Sequence, residues 1–291
     1  MTEPAPFSLI IPAHNEEAVI ARCLTTVLND APTDYPFEVI VAANGCTDNT
    51  VEVASLVSPT IKVLDIAEGS KTNAINLGMS EARYFPRIVL DADVECTHSS
   101  LAALAEALQQ PGAMTAAPAI RLNLDRCSWL IKSYYAAWIK QPYAKSGKGG
   151  AGCYGLSREA LEIAGPFPKI IGDDIWIHTR FPDEQKRLVT EGLDGQPVFS
   201  VVRPPRTAWQ QIKVEARRQL GNAEVRRDYP SPHFAALGQG GGWRKAIRSG
   251  ASPIHLAAFY GMKVFARIEA RLSQWRGQGS TWTRDLTSRE L

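Results

Sequence analysis

Short apolar runs at residues 7–11, 37–42, 61–64 and 88–90 are each followed by a helical pattern, over 16–28, from about 47, over 71–82 and over 99–108. Runs of that length read as buried strands. A strand that returns through a helix needs a sheet with helices on its faces, so the repetition points to an α/β chain with a mostly parallel central sheet flanked by helices. Such sheets bind ligands beyond the carboxyl ends of their strands. Those ends are where chemistry is to be sought.

From about residue 114 the regularity weakens. One further strand is expected, then an aromatic-rich helix over 127–143, the glycine-rich loop 146–152 and a helix after Arg206 running to about Asp228. Residues 230–242, rich in Pro and Gly, read as a linker, and 252–275 as a last helix. The expected division is a first half over 1–120, a second half of the same domain over 121–228, and a linker with an amphipathic helical extension over 229–291.

Charge divides along the same line. Residues 1–199 carry 16 Lys/Arg against 24 Asp/Glu, a net −8, and residues 200–291 carry 16 against 6, a net +10. A basic last third calls for a polyanionic partner, either nucleic acid or an anionic membrane surface. The basic residues sit on amphipathic helical patterns without a recognised nucleic-acid-binding module, which favours the membrane and argues against nucleic acid. Five scattered cysteines without a C-x-x-C pair argue against a disulfide framework or a zinc site, and the start lacks an apolar leader. A cytoplasmic location is expected, in part peripheral on the inner face of the cell membrane.

The strand over 88–90 ends in Asp91-Ala-Asp93, two carboxylates one residue apart that can clamp a divalent cation. On its own such a pair is as readily a turn or a cap. Three more polar segments gather at the same edge: Pro12-Ala-His-Asn-Glu-Glu after the first strand, Asn44-Gly-Cys-Thr-Asp-Asn-Thr after the second, and Gly69-Ser-Lys-Thr-Asn-Ala-Ile-Asn-Leu-Gly, which starts a helix at Lys71. In that order and at about that spacing, these segments resemble the P-x-x-N-E-E, G-S-T-D-x-T, G-K-x-x-A-x-N-x-G and D-x-D patterns of the family 2 glycosyltransferases of the GT-A fold. Gly152-Cys-Tyr-Gly-Leu-Ser-Arg-Glu-Ala-Leu-Glu and Ile171-Gly-Asp-Asp-Ile-Trp-Ile resemble the family's acceptor-side loop and its acidic G-[E/D]-D segment. The resemblance covers about residues 7–228.

It implies an inverting transfer of a sugar from a nucleotide diphosphate sugar to an acceptor hydroxyl, in cell-surface polysaccharide or glycolipid synthesis. Asp93 would hold Mg²⁺ or Mn²⁺, with Asp91 sharing the ion or touching the donor. Asp174 matches the family's base, and Asp173 is its acidic neighbour. Mutual repulsion of the two should raise one pKa. Pro12, Asn15, Glu17, Asn44, Lys71, Arg217 and Arg218 are the expected donor contacts, Asn15 and Glu17 being equally readable as turn or cap residues. Gly150, Gly152, Tyr154 and Trp176 fall on the acceptor side, facing a carbohydrate or a lipid-linked acceptor. Where the family often carries two acids before the second turn, one of which reads the uracil ring, this chain has Ala43 and Asn44. Asn44 offers both a donor and an acceptor, which keeps a UDP-sugar the first expectation, and without the carboxylate a GDP-sugar, a thymidine or a cytidine donor stays open. The resemblance thus makes 1–120 the nucleotide-sugar-binding half and 121–228 the acceptor-binding and catalytic-base half.

Several patterns lead elsewhere. Gly147, Gly149 and Gly152 satisfy G-x-G-x-x-G without the strand-to-helix turn and ribose acid of a dinucleotide site, and the five histidines show no metal spacing. Trp129, Tyr134, Tyr135, Trp138 and Tyr143 either line an acceptor groove or pack a core. Phe259, Met262, Phe265, Ile268, Leu272 and Trp275, with Lys263, Arg267 and Arg271 in a row beside them, make either an interfacial helix or one docked on the rest of the chain. The rival readings are a sugar nucleotidyltransferase, which lacks its glycine-rich basic loop here, and a non-catalytic nucleotide-sugar-binding scaffold or regulator.

Overall fold

A computed structural model describes residues 5–33, 35–141, 152–237 and 242–276. Strand β1 (Phe7–Ala13) is buried along its whole length. Leu9 and Ile11 join one core with helix α1 (Ile20–Asn29), while Ile10 joins another on the opposite face. The strict alternation of a strand explains how seven consecutive residues serve two cores. Helix α1 begins later than the sequence pattern suggests. Asn15 sits at φ 52°, and the carbonyl of Glu16 accepts from the amides of Val19 and Ile20, so His-Asn-Glu-Glu forms a loop before the first helical turn.

Strand β2 (Phe37–Asn44), helix α2 (Thr50–Val57) and strand β3 (Ile61–Ile66) follow. Helix α3 (Lys71–Glu81) is capped by Ser70, whose hydroxyl accepts from the Asn73 amide, and it leads to strand β4 (Arg87–Leu90). Gly78 lets α3 lie close on β1, because a Cβ there would stand 2.6 Å from the Ile10 side chain. Strand β5 (Glu95–Cys96) and the Thr97-capped helix α4 (His98–Leu108) end this half.

β3, β2, β1 and β4 pair in parallel, as expected. Beyond β4 the sheet is mixed. After strand β6 (Thr115–Leu122) and helix α5 (Trp129–Trp138), strand β7 (Cys153–Leu156) runs antiparallel between β4 and β6. Helices α6 (Arg158–Ala164) and α7 (Asp173–His178) precede strands β8 (Lys186–Val189) and β9 (Phe199–Val202), both parallel to β6. The main path is β3-β2-β1-β4-β7-β6-β9-β5, with β8 branching from β6. Leu156 opposes Arg87 and Cys153 opposes Leu90, so β7 begins beside the end of β4.

Helix α8 (Ala208–Asp228), capped by Thr207, packs with α5 and with helix α10 (Pro253–Trp275), which follows the short helix α9 (Gly242–Arg248). The segment read as a linker is partly docked: residues 232–237 form a 3-10 helix, Phe234 is buried beside Trp176 and Tyr229, and the Ser231 hydroxyl donates to the Thr179 carbonyl. The single apolar row read along α10 is in fact two faces. Phe259 and Met262 are buried, with Leu256, Ala266 and Ala270, against α5 and α8, whereas Phe265, Ile268, Leu272 and Trp275 are exposed. Three-residue steps fall short of the 3.6-residue turn, so a row written that way winds round the helix from the buried side to the exposed one. Among the described residues no helix is long and apolar enough to cross a membrane.

Candidate functional site

The carboxyl ends of β1 and β4 open into a cleft of about 300 Å³ that is closed on its other side by α7, α8 and the segment after β9. Pro12, Lys71, Asp91, Asp93, Gly152, Tyr154, Asp173, Asp174, Arg217 and Arg218 all line it, so residues drawn from six segments of the chain meet in one hollow.

Asp91 and Asp93 sit in a tight turn after β4, closed by the Val94 amide donating to the Asp91 carbonyl at 3.0 Å. The Asp91 amide donates to Gly152 O at 2.7 Å, which fastens the turn to the start of β7. Gly152 has φ 76°, and a Cβ on it would come within 2.9 Å of Asp91 Oδ2 and 2.6 Å of Val94. Only glycine allows that approach without strain.

Lys71, the first residue of α3, projects its ammonium between two acids, 2.8 Å from Asp91 Oδ1 and 3.1 Å from Asp173 Oδ1. Burial opposes its charge, but Asp173 and Asp91 outweigh that and raise its pKa, so it stays protonated. The second oxygen of Asp173 accepts from the Tyr154 hydroxyl at 3.1 Å. Burial and the surrounding acids hold the Tyr154 phenol well above its usual range, which keeps it a donor. Burial also pushes the Asp173 carboxyl up to about 6; Lys71 opposes this, while Asp174 and Asp91 add to it. Asp173 is therefore enclosed and doubly bonded. Asp174, on the cleft wall, uses one oxygen to accept from the Ile175 amide at 2.8 Å.

The arginines come from α8. Arg218 reaches Glu215 Oε2 at 2.7 Å, and Lys263 of α10 binds the other oxygen of that carboxylate. Burial alone would raise the Glu215 carboxyl, yet Arg218 and Lys263 together draw it down to about 2. Lys263 itself is lowered, by burial first and then by Arg218. With two cations facing one carboxylate, Glu215 remains the ionised partner, and its negative charge anchors the arginine turn.

Three of the expected donor contacts are placed otherwise. Asn44 is fully buried and its Nδ2 donates to the carbonyls of Ala13 (2.8 Å) and Ala42 (3.3 Å), so it stitches β1 to β2 and cannot reach a base. Asn15 accepts from the Thr47 amide at 2.6 Å, and Glu17 accepts from the amide and side chain of Asn49 at 3.0 and 3.1 Å. Both clasp the loop after β1 to the loop after β2. Glu16, one residue earlier, is the acid that lines the cleft. On the acceptor side Trp176 is also corrected: 2% exposed, it packs 5.0 Å from Phe167 within the core. Gly150 and Tyr143 lie outside the described residues. Tyr134 and Tyr135 meet edge to face, with Tyr134 in the core and Tyr135 on the cleft wall.

The wall also includes Arg203, Pro204, Pro205 and Asn222, which no strand-end pattern signals. The Pro-Pro pair before the Thr207 cap is the one visible cue, since it stiffens the entry to α8. Among the described residues no three His, Cys, Asp or Glu gather as a metal cage. Two carboxylates on one turn suit Mg²⁺ or Mn²⁺, which take oxygen ligands and complete their shell with phosphate and water. The ammonium on Asp91 marks the same spot as attractive to positive charge.

Comparison with known proteins bears on the family and the fold. The chain is 33% identical over 89 residues to the chondroitin synthase of Pasteurella multocida (strain Pm70), a match spanning 30% of this chain and 9% of that protein. It is 28% identical over 102 residues to the uncharacterized glycosyltransferase YkcC of Bacillus subtilis (strain 168), covering 33% and 31%. The chain thus spans well under half the length of these relatives. Among solved structures, the mannosyltransferase PcManGT of Pyrobaculum calidifontis, in complex with GDP-Man and Mn²⁺, superposes with a TM-score of 0.59 at 20% identity over 94% of this chain and 84% of that one. Glucosyl-3-phosphoglycerate synthase of Mycobacterium tuberculosis, with Mn²⁺, UDP-glucose and glycerol 3-phosphate, gives 0.52 at 16% over 76% and 79%. The fold is GT-A. The profile of "Glycosyl transferase family 2" matches residues 8–157, just over half of the chain, and the chain belongs to that family.

Proposed function

We propose that this protein is a metal-dependent, inverting glycosyltransferase that moves a sugar from a nucleotide diphosphate sugar to an acceptor hydroxyl. The single observation that carries the reading is the shared cleft, lined together by the Asp91 and Asp93 pair, by Asp174, by Lys71 and by the α8 arginines. A divalent ion at Asp93 and Asp91 would supply charge neutralisation for the departing diphosphate. Lys71, Arg217 and Arg218 add fixed positive charge on the donor side, where guanidinium suits phosphate oxygens.

On the opposite face of the sugar, Asp174 accepts the proton of the acceptor hydroxyl. The new bond forms between acceptor oxygen and the anomeric carbon as the bond to the diphosphate breaks, and the configuration inverts. Asp173 is engaged on both oxygens and serves as the fixed member of the pair, so the base is its neighbour. Gly152 and Tyr154 form the acceptor side. The donor is read as a UDP-sugar or a GDP-sugar, the nucleotides bound by the two structural neighbours, and the acceptor as a carbohydrate or lipid-linked molecule of cell-surface polysaccharide or glycolipid synthesis, handled at the inner face of the cell membrane.

The test combines a thermal-shift panel of UDP, GDP and their sugars, with and without Mn²⁺, with turnover of whichever donor stabilises the protein. Asp174→Asn should retain the donor-dependent shift and lose turnover by about 10²-fold or more. Wild-type turnover in that variant removes Asp174 from its role, and a panel without any metal-dependent shift removes the reading itself.

A further inference from the structure

Helix α10 carries two apolar faces. One, built from Leu256, Phe259, Met262, Ala266 and Ala270, is spent on α5 and α8, where the Phe259 and Tyr134 rings lie 5.1 Å apart. The other remains at the surface: Val264 is 50% exposed, Phe265 60%, Ile268 48%, Leu272 38% and Trp275 86%. From the adjacent Val264 and Phe265 the rest follow at three- and four-residue steps, so the five form one stripe along the helix. A helix docked on a soluble body normally turns polar residues outward on that side.

The flank of the stripe is basic. Arg267, Arg271 and Arg276 are exposed, and residues 244–276 contain 7 Lys/Arg against the single acid Glu269. Lys263, the remaining member of the basic row, is drawn inward onto Glu215, which fixes the rotation of α10 about its axis and keeps the apolar stripe outward. A second copy of the chain would bury the stripe but would bring the same arginines together. An acidic surface with an apolar interior satisfies both features at once, because arginine heads meet phosphate oxygens while Phe265, Ile268, Leu272 and Trp275 enter the acyl boundary.

We infer that the exposed face of α10 docks on an anionic lipid bilayer, with the stripe in the interface and the arginines at the headgroups. Only the use of this docking rests on the proposed glycosyl transfer: it would hold the cleft beside a lipid-linked acceptor. The binding itself does not depend on catalysis.

The experiment is co-sedimentation of the full chain with vesicles of phosphatidylcholine alone and of phosphatidylcholine with phosphatidylglycerol. The wild type should pellet with the anionic vesicles and stay in solution with the neutral ones. Ile268→Glu with Leu272→Glu should abolish pelleting, and Arg267→Glu with Arg271→Glu should weaken it by roughly tenfold or more and flatten its dependence on salt. Asp174→Asn should pellet like the wild type, which separates this outcome from the fate of the catalytic reading. Should the first double variant melt at lower temperature, the arginine pair, at exposed positions, carries the test. A wild type that remains in solution with anionic vesicles, or variants that pellet as well as it does, overturns the inference. So does a dimer in light scattering that Ile268→Glu dissociates while vesicles bind nothing, since the stripe would then be a contact between copies.

Discussion

Lys71 is the residue on which the cleft's electrostatics turn. It neutralises two carboxylates that would otherwise stand close together in a largely enclosed site, so Lys71→Met leaves Asp173 buried without a counter-charge. Removing one partner of such a buried pair costs about 3 kcal/mol or more. Urea unfolding should register that loss, and an unchanged midpoint would mean the contact contributes nothing. Gly152→Ala acts differently. Its methyl group would press on Asp91 and Val94, so the variant should fold yet lose Mn²⁺-dependent nucleotide binding, measurable by calorimetric titration. Individual residues also mark where sequence reading ends. Asp91, Asp93, Lys71 and Asp174 are recognisable because their motifs end strands or begin helices at one sheet edge. Asn44, Asn15 and Glu17 look the same in sequence, but Asn44 bonds the end of β1 and the other two bond the loop after β2, each about thirty residues away, and only the folded chain decides whether a polar side chain faces the cleft or its neighbour.

At the scale of elements, α8 joins the site to the C-terminal helices. Glu215 accepts from Tyr134 of α5 and pairs with Arg218 and with Lys263 of α10, so three helices meet on one carboxylate. Its folded pKa of about 2 lies below its ordinary value. The bound state therefore stabilises the fold fully above about pH 4.5, and this contribution is lost as pH falls toward 2; by linkage it amounts to about 3 kcal/mol. Glu215→Gln should be markedly less stable than the wild type in urea at pH 7, with the two converging as the pH approaches 2. A stability gap that does not narrow would contradict the assignment. The strand-helix alternation that identifies β1, β2 and β4 is readable because inner parallel strands are buried on both faces and so carry continuous apolar runs, and edge strand β3 follows from its place in that alternation. β7 has four residues, runs antiparallel and follows no helical pattern, and β5 has only two residues; neither shows a period of its own. The two faces of α10 escape notice for a related reason, since a residue list at three-residue steps does not say which side another helix will cover.

The whole molecule places a turn with two carboxylates, a paired ammonium and a further acid around one opening, with the arginines of α8 beside them. The division expected near residue 120 falls within β6, because that strand pairs with β7, β8 and β9 and ties the two halves into one sheet. The family profile covers the first half and runs on through β7, and the remainder of the second half supplies Asp173, Asp174 and the arginines that complete the cleft. The central claim is that a cation held by Asp93 and Asp91 joins a nucleoside diphosphate to this opening. The most direct test is calorimetric titration of UDP and GDP into the wild type, Asp93→Ala and Asp174→Asn, each with and without Mn²⁺. One of these nucleotides should bind the wild type and Asp174→Asn only when Mn²⁺ is present, and Asp93→Ala should not bind it at all. Equal binding by Asp93→Ala, or binding that ignores Mn²⁺, would contradict the claim.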